Sequence, residues 1–121
     1  MEVKFYKNKA TGKVTLSLLG INDGNEVELI ANTTDGAKEK HVPVFTINEN
    51  KVHVEVGSTL HPMTEAHHIA FIAIVTNQKA ERKQLDPVGE PKADFVLAEG
   101  EKLEKVYEYC NLHGLWVAEA K

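Results

Sequence analysis

The chain has one cysteine, one arginine and no long apolar run, and each scarcity excludes a class of protein. Cys110 has no partner for an internal disulfide, so nothing indicates an oxidising compartment. Arg82 stands alone and the formal net charge is −4, which argues against a nucleic-acid-binding surface. The longest apolar run, residues 69–75, is too short to span a bilayer. The first residues lack the apolar centre of a signal peptide, so the cytoplasm is the expected location.

What is present predicts an all-β fold. A chain of 121 residues is expected to form one domain with its own core. Short apolar runs, several of them alternating and most bounded by Gly, Pro, Asn or Asp, predict strands at 14–19, 26–31, 42–47, 51–56, 68–75, 79–85, 93–97, 102–109 and 115–118, with turns at 22–25 and 48–50. Residues 102–109 also fit a short amphipathic helix, but their alternation favours a strand. Many short strands indicate an immunoglobulin-like β-sandwich.

Two histidines in the segment His61-Pro62-Met63-Thr64-Glu65-Ala66-His67 are candidate metal ligands. In an extended strand they would lie roughly 20 Å apart, at about 3.3 Å per residue. Ligands of one metal ion must lie within roughly 4 Å of each other, since each is about 2 Å from the ion. The segment must therefore turn back if both bind, and residues 64–66 could form one helical turn. The alternative is two polar loop residues near the end of a strand.

The segment Cys110-Asn111-Leu112-His113-Gly114 has a tighter spacing. A Cys-x-x-His step lets one turn present sulfur and imidazole to one point, as in zinc knuckles. Gly114 would relieve a crowded backbone just after the second ligand. A free core cysteine beside a loop histidine is the plain alternative. A catalytic thiol is a third, although no residue is evident to orient the histidine.

The other three histidines differ in their surroundings. His41 follows Glu39 and Lys40 and precedes an apolar strand, a position typical of a solvated rim. His53 alternates with valines, which predicts that it lies on the outer face of its strand. His68 directly follows His67 and, in an extended chain, points the other way, so both cannot easily reach one metal ion.

Three motifs occur together and in order: Glu-Lys-His-Val-Pro-Val at 39–44, His-Pro-Met-Thr-Glu-x-His at 61–67, and Cys-Asn-Leu-His-Gly-Leu-Trp at 110–116. With them, residues 32–118 resemble the superoxide reductase family, desulfoferrodoxin and neelaredoxin. The resemblance implies an immunoglobulin-like sandwich and one mononuclear non-haem iron. It implies four histidines in a plane and an axial thiolate, which are here His41, His61, His67, His113 and Cys110. The sixth position is left for superoxide or, in the oxidised resting state, Glu39; Lys40 matches the lysine beside it.

The same resemblance implies one-electron reduction of superoxide to hydrogen peroxide, with iron re-reduced by rubredoxin or a similar small iron protein. It implies a homodimer or homotetramer, with residues 32–121 as the iron-binding domain. Residues 1–31 are similar to a shortened remnant of the small extra domain of longer members. That remnant has no cysteine, so it cannot hold their second iron. The alternative from another class is a non-catalytic module with a closed, redox-silent zinc site.

Overall fold

The computed structural model describes residues 2–20, 24–34 and 36–120. Asn22 and Asp23 of the predicted turn, and Asp35, lie outside the described residues. Within the described part the chain forms ten strands and one short helix. In order they are β1 Lys4–Asn8, β2 Val14–Ser17, β3 Glu26–Leu29, α1 Lys38–His41, β4 Pro43–Asn48, β5 Lys51–Val56, β6 Ile69–Thr76, β7 Ala80–Gln84, β8 Lys92–Val96, β9 Leu103–Cys110 and β10 Gly114–Glu119.

Two antiparallel sheets form a sandwich. One has the order β10-β9-β6-β7 and the other the order β4-β5-β8. Their facing side chains form one apolar core, in which every member is buried: Val52, Val54, Val56, Ile69, Ile72, Ile74, Ala93, Phe95, Leu97, Leu103, Val106 and Cys110. This architecture confirms the predicted all-β, immunoglobulin-like sandwich. The core ends at Cys110, so one end of the sandwich holds the only thiol of the chain.

A third sheet, of order β2-β1-β3, covers the outer face of β6 and β9. Its Phe5 and Val14 pack with Phe71 and Tyr107, and the rings of Phe5 and Phe71 stack at 5.8 Å. Both faces of β6 are therefore covered, which explains why residues 69–75 are apolar without alternation. The domain boundary at residue 31 stays a prediction.

Two elements were absent from the sequence prediction. Strand β1 lacks clean alternation because Phe5 and Tyr6 are both buried, and the Tyr6 hydroxyl donates to the Gly20 carbonyl at 2.8 Å. Helix α1 has four residues and no side-chain cap, so neither a helical repeat nor a capping residue in the sequence predicts it. It is the only helix in the described ranges and is far too short to span a membrane. Residues 102–109 form a strand, as the alternation indicated, and not a helix.

On the outer face of β5, His53 lies between two carboxylates. Its Nδ1 is 2.6 Å from Asp94 Oδ1 and its Nε2 is 2.8 Å from Glu55 Oε2. The hydrogen bond to Asp94, and to a smaller extent that to Glu55, raises the pKa of His53 above 6.5. The folded protein thus holds this proton more tightly than the unfolded chain.

We therefore expect His53 to stabilise the fold fully at about pH 6, below its unfolded pKa. That stabilisation is lost as the pH rises through the higher folded pKa. Urea unfolding of wild type and His53→Gln between pH 5.5 and 9 measures it. The free energy difference should shrink at the alkaline end, and a constant difference would show that the protonated imidazole does not matter.

Candidate metal centre

Four imidazole rings form a closed cycle at one end of the sandwich. The centroid distances are 4.9 Å between His41 and His61, 4.5 Å between His61 and His67, 5.2 Å between His67 and His113, and 4.9 Å between His113 and His41. Each neighbouring pair meets edge to face, with interplanar angles from 66° to 82°. Every ring thus touches two others, and the four surround a common point.

A thiol lies beside this cycle. Cys110 Sγ is 3.4 Å from His61 Nε2. One possible ligand atom from each of His41, His61, His67 and Cys110 lies within 4.8 Å of the other three. His113 is not in that group, although its ring adjoins those of His41 and His67. Cys110 is 0% exposed and belongs to the apolar core, so the thiol lies on the inner side of the cycle.

The hydrogen bonds of the His41 and His61 rings engage Nδ1 and leave Nε2 available to a metal ion. His41 Nδ1 lies 2.8 Å from the Ala37 carbonyl oxygen, and His61 Nδ1 lies 2.7 Å from that of Pro62. Such bonds assign the proton to Nδ1 and leave Nε2 as a lone-pair donor. His41 Nε2 and His67 Nε2 are buried with no hydrogen-bond partner among the described residues. Buried unpaired nitrogens are costly, and a bound cation would satisfy them. A thiolate with imidazoles suits iron, zinc or copper.

The loop carrying His61 and His67 turns back, as the ligand distances required. The Thr64 amide donates to the His67 carbonyl at 2.9 Å, and the His67 amide donates to the Thr64 carbonyl at 3.2 Å. This paired pattern is a reverse turn, not the single helical turn predicted for residues 64–66. The turn brings His61 and His67 side by side.

His41 reaches the centre because α1 docks on the segment before His61. The Thr59 amide donates to the Glu39 carbonyl at 2.9 Å, and the Gly57 amide donates to the Val42 carbonyl at 3.2 Å. Gly57 has φ +85, and a Cβ there would lie 2.4 Å from the Thr59 carbonyl oxygen and 2.7 Å from that of Glu39. Only glycine fits this backbone contact.

Gly57→Ala should therefore lower the free energy of unfolding by at least about 2 kcal/mol, from left-handed strain plus overlap with backbone. Gly100→Ala is the matched control, because Gly100 has φ +77 and nothing within 4 Å of the added Cβ. Urea unfolding of both variants separates two contributions to the loss of stability. The strain of a positive φ is present in both variants, and the overlap of the new Cβ with backbone is present only in Gly57→Ala. Equal losses in the two variants would contradict the close contact.

The third ligand segment is the turn after β9. Trp116 Nε1 donates to the His113 carbonyl at 3.0 Å, and its ring stacks on His41 at 5.1 Å. Gly114 has φ +83, a conformation that glycine adopts without strain, in line with the crowded backbone expected after His113. One tryptophan therefore contacts two members of the cycle. The sequence alone indicates no role for this tryptophan, although the motif at 110–116 contains it.

Burial sets the charge of the site. It lowers the pKa of His41 and His67 and brings that of His61 to about 4, so these imidazoles are neutral and ready to bind metal at pH 7. Burial likewise raises the pKa of the Cys110 thiol, while the amides of Leu112 and His113 act in the opposite direction.

The remaining candidates lie at the edge of the site or away from it. Glu39 and Lys40 are exposed on α1. The Lys40 charge lowers the pKa of both His41 and His67, although burial and the neighbouring histidines lower it more. His53 is on the outer face of β5, and His68 Nδ1 contacts the Thr64 carbonyl at 3.0 Å.

Comparisons with known proteins identify the family of this chain. The family model described as desulfoferrodoxin matches residues 33–119. A desulfoferrodoxin of Clostridium acetobutylicum is 41% identical, over 98% of this chain and 97% of that protein. A superoxide reductase of Pyrococcus abyssi is 37% identical, over 72% and 90%. The solved superoxide reductase from Treponema pallidum superposes with a TM-score of 0.84 at 31% identity, covering 98% of this chain and 100% of that one. The resemblance stated from the three motifs is confirmed, and this chain belongs to the desulfoferrodoxin family.

Proposed function

We propose that this protein is a superoxide reductase with one non-haem iron per chain, held by His41, His61, His67, His113 and Cys110. The observation that carries the proposal is the closed cycle of four imidazoles with a buried thiol on its inner side. Relatives named superoxide reductase support the same activity. Glu39 and Lys40 are the proposed residues that face the substrate.

Iron held by these five residues would supply one electron to superoxide. The neutral imidazoles of His41, His61 and His67 keep the charge of the site modest, and a Cys110 thiolate would donate electron density to the iron. Lys40 attracts the superoxide anion at the outer side, where the formal net charge of −4 would otherwise repel it. Glu39 is the proposed carboxylate that would hold the oxidised iron together with these five residues.

Lys40→Ala should slow the bimolecular reaction with superoxide several-fold and flatten its dependence on ionic strength, because a nearby cation steers the anion. Pulse radiolysis at several salt concentrations measures both. Lys38→Ala removes an equal charge from the same exposed helix and is the matched control. Glu39→Ala should leave the rate nearly intact and alter the oxidised spectrum. Identical salt dependence in wild type and Lys40→Ala would argue against steering.

The electron must come from outside the chain. A four-thiolate iron centre needs four cysteines and this sequence has one, so residues 1–31 cannot relay electrons through such a centre. We propose rubredoxin or a similar small iron protein as the donor, a homodimer or homotetramer as the assembly, and the cytoplasm as the location.

The test of the function is stoichiometry. Fully reduced, iron-loaded protein is mixed with excess superoxide, and the peroxide formed per chain is counted after correction for spontaneous dismutation. About one peroxide per chain is expected, with turnover resuming when reduced rubredoxin is added. Many turnovers with oxygen evolved and no donor would identify a dismutase instead. A colourless, redox-silent zinc protein would support the structural alternative.

A further inference from the structure

We propose that Asn111 is a positioning residue that fixes His67 relative to Cys110 and His113. This inference rests on the proposed function, since it assigns to Asn111 the task of spacing two ligand-bearing segments. Asn111 lies between the two ligands of the Cys-x-x-His step and is half-buried. Its own side chain is no part of the histidine and cysteine cluster.

The side-chain amide of Asn111 holds the backbone on both sides of His67. Its Nδ2 donates to the Ala66 carbonyl at 3.0 Å, and its Oδ1 accepts from the His68 amide at 2.9 Å. The Asn111 backbone amide also donates to the His68 carbonyl at 3.2 Å. One residue thus makes three hydrogen bonds across the two segments, and His67 lies between its two side-chain contacts.

The position of these bonds explains their importance. Pairing between β6 and β9 ends where Ile69 faces Cys110, so His67 lies beyond the last pair of the ladder. Among the described residues, the other hydrogen bonds of residues 64–68 are internal: Thr64 bonds with His67, and His68 contacts Thr64 and Glu65. Asn111 therefore ties this turn to the segment that carries the thiolate. Groups that orient metal ligands typically change metal affinity by about 10–100-fold when removed.

Asparagine suits the task because one planar group offers a donor and an acceptor. Asn111→Asp keeps the acceptor for His68 but replaces the donor by an oxygen facing the Ala66 carbonyl. Asn32 offers a matched control: its Nδ2 donates to the Val117 carbonyl at 3.2 Å, and its Oδ1 accepts from the Val117 amide at 2.9 Å. Asn32→Asp loses the same kind of bond and gains the same charge, but its partner Val117 is on β10, which carries no proposed ligand.

The experiment compares iron-loaded wild type, Asn111→Asp and Asn32→Asp. Competition with an iron chelator measures affinity, the visible thiolate-to-iron band reports ligand geometry, and urea unfolding reports stability. We expect Asn111→Asp to lose about 10–100-fold in iron affinity and to shift the band. Asn32→Asp should keep the iron affinity and the visible band of wild type, even where its free energy of unfolding falls. Equal iron affinity and an unshifted band in the two variants would overturn the positioning role.

A second variant serves as the test if Asn111→Asp folds poorly. Asn111→Gln keeps both groups on a longer stem, so it should fold and still shift the band. If Asn111→Asp does not fold, wild-type affinity and spectrum in Asn111→Gln would overturn the proposal, because the position of the amide group would then be immaterial. The chelator and the spectrum do not depend on superoxide. If wild type fails to form peroxide while Asn111→Asp still loses iron, only the proposed function fails.

Discussion

Cys110→Ser is expected to abolish the visible band of the oxidised, iron-loaded protein and to lower the rate of superoxide reduction by at least about 100-fold. Even outer partners of metal ligands are worth about 10–100-fold, and Cys110 is a proposed direct ligand. A hydroxyl is a much poorer electron donor than a thiolate. Absorption spectra with and without oxidant measure the band, pulse radiolysis measures the rate, and metal analysis shows how much iron the variant holds.

The change to serine also places a hydroxyl in the apolar core around Cys110, so the stability of the variant must be measured alongside. A folded Cys110→Ser protein that binds iron without colour gives the clearest outcome. An unchanged visible band would show that the sulfur is not a ligand.

Replacing any one of His41, His61, His67 or His113 by alanine should reduce the iron bound per chain, whereas His53→Ala and His68→Ala should not. The first four form the closed cycle of rings. His53 is bound to carboxylates on the outer face of β5, and His68 contacts its own turn. Iron-to-protein ratios after chelator challenge measure the effect in all six variants.

His113 is the most informative member of this set, because it is placed by ring contacts and not by the tight group of ligand atoms. A loss of iron in His113→Ala equal to that in His61→Ala would support five ligands. Full iron occupancy and activity in His61→Ala would refute the ligand assignment as a whole.

The short apolar and alternating runs of the sequence predicted most strands of the sandwich. They did not predict how deeply its polar residues are buried. Alternation in residues 51–56 reflects one covered face, and β5 matches the prediction at both ends. Strand β9 is covered on both faces, so Glu108 is 0% exposed despite its charge, and both its carboxylate oxygens lack a partner among the described residues. Burial raises the pKa of Glu108 well above its ordinary value. Composition along one strand cannot reveal what covers that strand.

The candidate site was predictable to different degrees. The short distance between two ligands of one ion was enough to require a turn between His61 and His67 if both bind. His41 looked like a solvated rim residue, yet it is only 2% exposed, because α1 folds over Gly57. That contact is non-local, and only the resemblance of the motif at 39–44 indicated that His41 belongs to the site. Asn111 and Trp116 act through backbone atoms of other segments, which no local pattern reveals.

The burial of Cys110 sets how long such a centre survives its own product. Hydrogen peroxide oxidises accessible thiolates to sulfenic acid and then irreversibly to sulfonic acid. The chain has no second cysteine that could trap the sulfenic acid as an internal disulfide. Its protection is the position of the sulfur, 0% exposed on the inner side of the imidazole cycle. Inactivation over many turnovers should therefore follow the rate at which β6 and β9 open locally, not the concentration of peroxide alone.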